Sequence, residues 1–153
     1  MCSLHQYLYQ VFEDDEDTIE AIEEFVNDIT INRYDNHKLL VLQGPGNNGK
    51  TTLINKIRFT FNPNEYTVVP AINTIVQMRT AVYNLNGKKF VIVPGNILTN
   101  DQISELLRYT NVIVETNVAD QIYVPNNSYL TVNMTHVFTK DEINAWKILE
   151  NNQ

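Results

Sequence analysis

The residues best equipped for chemistry lie in one short run. Gly44-Pro45-Gly46-Asn47-Asn48-Gly49-Lys50-Thr51 satisfies the pattern G-x-x-x-x-G-K-[ST], and Thr52 follows it. Glycines at Gly44, Gly46 and Gly49 let the backbone wrap with its N–H groups on one side. Together with the intervening Asn47 and Asn48 amides and the positive end of the next helix, they form a cradle for a β-phosphate. Lys50 then reaches the β- and γ-phosphate oxygens, Thr51 offers its hydroxyl to a magnesium ion, and Thr52 reaches the α-phosphate. A Gly/Asn-rich turn can match the bare pattern by chance. The context separates the two readings, because Lys38-Leu39-Leu40-Val41-Leu42 reads as a buried parallel strand and helical signals run from Lys50 to Phe61.

Triphosphate chemistry also calls for a carboxylate at the end of a neighbouring strand. The strand read at Phe90-Val91-Ile92-Val93 ends in Pro94-Gly95-Asn96, without an acid. Glu115, closing the apolar run Val112-Ile113-Val114, and Asp101, in the loop that follows Pro94, are the substitutes, ahead of Glu65 and Asp120. Each is also readable as a solvated polar residue. His5, His37 and His136 are too scattered for a metal site and read as structural.

The elements that must hold this loop can be read on either side of it. A helix carrying Ile19, Ile22, Phe25, Val26 and Ile29 on one face starts at a capping box of Asp17 and Glu20, after the five-acid run Glu13 to Asp17. Downstream come a short strand at Tyr66 to Val69, an ambiguous helix over Ile72 to Tyr83 and a strand over Lys89 to Val93. Thr99 and Gln102 then cap a helix with Ile103, Leu106 and Leu107, and the strand Val112 to Val114 follows. A last strand or strand pair is expected at Tyr129 to Phe138, then a helix capped by Thr139 and Glu142 that carries Ile143, Trp146 and Leu149. Alternating strands and helices predict a three-layer α/β domain with a mainly parallel central sheet. The organisation expected is an acidic N-terminal segment, 1–17, and a P-loop NTPase domain, 18–153.

The 153 residues suit one such domain. No apolar run approaches the roughly 20 residues needed to span a bilayer, Met1 to Gln6 shows no leader pattern, and the lone Cys2 can form no internal disulfide. The expectation is an intracellular protein without a membrane partner, cytoplasmic or in a host cell. The net charge of -7 is unevenly spread. Residues 1–36 hold ten acids against Arg33, a net of -9, while residues 37–153 hold eight acids against ten Lys and Arg, a net of +2. Lys88-Lys89 is the only basic pair, so composition does not point to nucleic acid.

The loop Gly44 to Thr52 resembles the Walker A loop of the superfamily III helicases of DNA viruses and of related phage and plasmid primase-helicases, where Gly-x-Gly-x-Asn-Gly-Lys-[Ser/Thr] is typical. Val112-Ile113-Val114-Glu115-Thr116-Asn117 is similar to that family's motif C, an apolar strand ending in small polar residues and an asparagine. The resemblance implies ATP and magnesium as ligands. It makes Lys50, Glu115 and Asn117 the catalytic candidates, with Asn117 near the γ-phosphate and the attacking water, and it implies DNA, a ring of copies or another replication protein as partners. The sequence departs from the family at Pro94-Gly95, where paired acids are missing, and in having no arginine after Arg108 to serve as an arginine finger. A second register takes Glu115 as the Walker B acid and Asn133 as the sensor. Three functions stay open: a helicase-type ATPase for DNA replication, a reduced or inactive ATP-binding assembly module, and a small nucleoside or nucleotide kinase.

Overall fold

The computed structural model describes residues 3–13, 15–31, 37–44, 50–95, 97–116, 122 and 129–134. Gly46, Asn47, Asn48, Gly49, Asn96, Asn117, Asp120, His136 and the helix expected around Ile143 to Leu149 lie outside the described residues.

Five strands, β1 (Leu39–Gln43), β2 (Tyr66–Val68), β3 (Phe90–Val93), β4 (Asn111–Thr116) and β5 (Tyr129–Asn133), form one all-parallel sheet in the order β2-β3-β4-β1-β5. The α-helices among the described residues are α1 (Leu4–Phe12), α2 (Glu16–Ile31), α3 (Lys50–Arg58), α4 (Ile75–Tyr83) and α5 (Asn100–Leu107). Strand residues alternate between two cores because side chains on a strand point to opposite faces in turn. Leu40, Leu42, Phe90, Ile92, Ile113, Val132 and Met134 pack with α1, α2 and α3, while Leu39, Val41, Val91, Val93, Val112 and Val114 pack with α4 and α5. The crossover from β1 to β2 runs in the opposite direction along the sheet to those from β2 to β3 and β3 to β4. Right-handed crossovers therefore place α3 on one face and α4 and α5 on the other. The expected α/β sandwich of three layers, that of the P-loop NTPase class, is the observed architecture.

Local details differ from the sequence reading. Residues 4–12, for which no element is apparent in the sequence, form α1, capped by a reciprocal Ser3–Gln6 box and burying Tyr7, Leu8 and Val11 in the first core. The first turn of α2 is held by Asp15, whose carboxylate accepts from the Thr18 N–H at 3.2 Å and from the Thr18 hydroxyl at 2.7 Å. The cap is thus Asp15 rather than Asp17, because Thr18 presents two donors to one carboxylate. Glu16 and Asp17 fall in the first turn, where the helix dipole favours acids. α3 stops at Arg58 rather than Phe61, as the N–H groups of Thr60 and Phe61 turn to the carbonyls of Ile57 and Arg58. The ambiguous stretch 72–83 settles as α4 behind a Thr74–Gln77 box, and the Thr99–Gln102 box opens α5 as expected.

Buried Asn111 ties the central strands at their N-terminal ends. Its side-chain carbonyl accepts from the Lys38 N–H at 2.8 Å and its amide donates to the Lys89 carbonyl at 2.9 Å, joining the residues that precede β1 and β3 across β4.

Candidate functional site at the carboxyl ends of the central strands

The sheet order decides which strand end meets the glycine-rich loop. The strand paired with β1 on the side of β3 is β4, with Leu42 opposite Glu115 and Gln43 opposite Thr116. β3, the strand ending at Pro94, is separated from β1 by the whole width of β4. From β1 the chain leaves towards β2, and from β4 it leaves across β1 towards β5. The connections at these two adjacent carboxyl ends therefore run in opposite directions along the sheet.

The first residue of the loop, Gly44, donates its N–H to the Thr116 carbonyl at 3.3 Å, so the loop starts while still tied to β4. α3 begins at Lys50. Lys50 is only 5% exposed, and its ammonium donates to the Gly44 carbonyl, so the lysine folds back over the entry to the loop. Burial holds its pKa below the ordinary lysine value, and the negative charge of Glu115 opposes that shift in part.

Ile113 faces the first core, and two residues on Glu115 projects to the same side of the sheet, where α3 lies. The Thr51 hydroxyl donates to Glu115 Oε1 at 3.4 Å, a long and weak bond by itself. It brings together a neutral hydroxyl and a carboxylate oxygen, both hard donors of the kind magnesium prefers. Among the described residues no group of three or more His, Cys, Asp or Glu side chains is placed to hold a metal by itself. A divalent cation at this site would thus take one hydroxyl and one carboxylate from the chain and its remaining ligands from phosphate and water, which is the habit of magnesium.

Of the other carboxylates named from sequence, Asp101 and Glu65 are elsewhere, and Asp120 is outside the described residues. Asp101 lies in the first turn of α5 rather than in a loop, and α5 packs on the face opposite to α3. Glu65 precedes β2 at the end of the sheet away from the loop, where the Asn62 N–H, donating to its carboxylate at 3.0 Å, and then Lys89 at 3.2 Å hold its carboxyl below the usual range against the opposing effect of burial. Asn133 is in register with Gln43 on the far side of β1. His5 pairs with Glu23, and His37 shares a 2.7 Å hydrogen bond between Nδ1 and the Leu107 carbonyl. Sequence reasoning passes over Thr116, whose carbonyl anchors the loop. Nothing in its residue type marks it, and only the pairing of β4 with β1 brings it there.

A parallel sheet between two helical layers, with a glycine-rich sequence joining an inner strand, β1, to a helix that opens Lys-Thr-Thr, is the architecture of the P-loop class of α/β domains. No protein-family profile matches the sequence, and no curated protein does. Among solved structures, the Drosophila ORC bound to DNA contains a chain that aligns with 97% of the present chain at 12% identity and a TM-score of 0.47. The present chain spans about half (49%) of that chain. At that level of likeness the assignment rests on the sheet order and the site. None of the described helices is long and apolar enough to cross a membrane.

Proposed function

We propose that this domain binds ATP with magnesium at the carboxyl ends of β1 and β4 and hydrolyses it. The observation that carries this reading is the meeting of Thr51 and Glu115 at 3.4 Å beside the buried Lys50. Gly44, Gly46, Asn47, Asn48 and Gly49 cradle the phosphates with backbone N–H groups, and Lys50 neutralises the β- and γ-phosphates, exchanging the Gly44 carbonyl for phosphate oxygens. Thr52, the third residue of α3, serves the α-phosphate. Thr51 and Glu115 would hold the magnesium, which when bound would supply charge neutralisation on the transferred phosphoryl group. Asn117, two residues past Glu115, orients the attacking water, as the resemblance to superfamily III helicases implies. That resemblance extends the reading to a helicase-type module that couples hydrolysis to DNA replication, as a ring or with another replication protein.

One observation favours a second reading, an ATP-binding module without turnover. β3 ends in Pro94-Gly95 with no acid, and the sequence has no arginine beyond Arg108 to reach a neighbour's phosphates. Magnesium-dependent phosphate release by the purified protein, with and without single-stranded DNA, separates the two. Release stimulated by DNA supports the helicase-type ATPase, tight ATP binding without release supports the silent module, and absence of nucleotide binding removes both.

A further inference from the structure

The outer helix α4 is exposed in a way that one isolated domain does not explain. Only Ala81 of its nine residues is buried, whereas Ile75, Val76 and Tyr83 are 73, 69 and 79% exposed. An amphipathic surface helix normally turns such residues inward. Val76, Arg79 and Tyr83 follow one another at helical spacing, so they share one face with a cation in its middle. Residues 66 to 100, which build β2, α4 and β3, contain no Asp or Glu in a chain with 18 of them, and they carry Arg79, Lys88 and Lys89. Of the acids that flank this stretch in sequence, Glu65 is paired with Lys89 and Glu105 with Arg108, and Asp101 sits in the first turn of α5, where the helix dipole favours it. Arg79 and Lys88 enter no ion pair among the described residues. The edge therefore suits an acidic partner with some apolar surface. An antiparallel pairing of α4 with its own copy is disfavoured, since it would set Arg79 against Arg79.

The complementary surface is on the same chain. Asp17, Glu20 and Glu24 lie exposed along α2 and line a shallow groove with Ala21 and Asn27. Beside them Tyr9 of α1, 46% exposed, packs edge-on against His5 at 4.8 Å between ring centroids, and His5 is paired with Glu23. This seam is both acidic and aromatic. α1 and α2 belong to the core on one face of the sheet and α4 to the core on the other, so these two surfaces of one copy do not meet, and pairing two copies through them leaves one seam and one edge free for the next copy.

We infer that the α1–α2 seam of one copy docks on the α4 edge of the next, giving a head-to-tail assembly. The contact uses neither Lys50 nor Glu115 and does not rest on the nucleotide reading. Sedimentation of the whole chain tests it. Association that weakens at least about tenfold between roughly 50 and 500 mM salt is expected, since exposed charges at an interface are screened over that range. The double variants Arg79→Glu with Lys88→Glu, and Glu20→Lys with Glu24→Lys, each sediment as monomers, and an equimolar mixture of the two associates again. That rescue also shows that both variants are folded. A monomer at all concentrations overturns the inference, as does association that survives both reversals, or an unmixed variant that still assembles. Binding of a labelled single-stranded oligonucleotide that Arg79→Glu abolishes, without self-association, overturns it in favour of nucleic acid on the same edge.

Discussion

Thr51, at the second position of α3, and Glu115, near the end of β4, are 64 residues apart in the chain and 3.4 Å apart between Oγ1 and Oε1. The contact exists because β4 is inserted beside β1 and because alternation along β4 aims Glu115 at the α3 face. It gives the site a carboxylate that β3 does not supply. Glu115→Gln removes the charge and keeps the shape. It is expected to leave ATP affinity within a few-fold of the parent and to lower magnesium-dependent phosphate release at least about 100-fold, the lower end for a residue acting on the reacting groups. Phosphate release measured under saturating ATP decides the matter, and an unchanged rate would remove Glu115 from the machinery.

Lys50 makes the second test. Its ammonium is buried against the Gly44 carbonyl, an acceptor that the proposed function has it exchange for a phosphate. A charge-assisted hydrogen bond contributes about 1.5–3 kcal/mol, so Lys50→Ala is expected to weaken ATP binding by roughly 10- to 100-fold while circular dichroism stays unchanged. Titration calorimetry reads the affinity. A folded variant that binds ATP as well as the parent contradicts the phosphate assignment.

The same lysine predicts a pH dependence. Desolvation lowers its pKa in the folded protein relative to 10.5, so between the folded value and 10.5 the unfolded chain binds the proton that the native state has released. Stability without nucleotide should therefore rise with pH through that window, and the burial of the charged form costs stability below it. Lys50→Met, which keeps the stem and removes the charge, should flatten that slope and stabilise the nucleotide-free protein near neutral pH. Urea unfolding of both proteins across the alkaline range checks this, and identical slopes would refute it.

Asn111 predicts a purely structural effect. Its buried side chain bonds at once to the residue preceding β1 and to the residue preceding β3, across β4. Asn111→Ala leaves a backbone donor and a backbone acceptor unpaired and should cost about 2–4 kcal/mol, given roughly 1–3 kcal/mol for each buried group left unsatisfied. Chemical denaturation measures it. A loss under about 0.5 kcal/mol, the range of an ordinary surface change, would show that water takes over both bonds.

Local patterns carried much of this architecture. The continuous apolar run Leu39 to Leu42 announces a strand covered on both faces, and Thr99 with Gln102 announces the start of α5, because each depends on residues within one turn or one strand. α1 escaped notice because its apolar residues Tyr7, Leu8 and Val11 are too few to show a period, and they gain their burial from α2 and α3. The α2 cap moved to Asp15 because five consecutive acids offer several equivalent boxes, and the Thr18 hydroxyl chose among them.

The strand and the helix on either side of Gly44 to Thr52 were legible in the sequence alone, since the apolar run Leu39 to Leu42 and the helical pattern from Lys50 are each set by neighbouring residues. Which carboxylate faces them was decided only by the tertiary structure. Asp101, Glu65 and Glu115 are alike as residue types, and it is the order β2-β3-β4-β1-β5 that sets one of them beside Thr51, one on the other face and one at the far end of the sheet. Strand order depends on how distant apolar faces pack against one another, which no local pattern records.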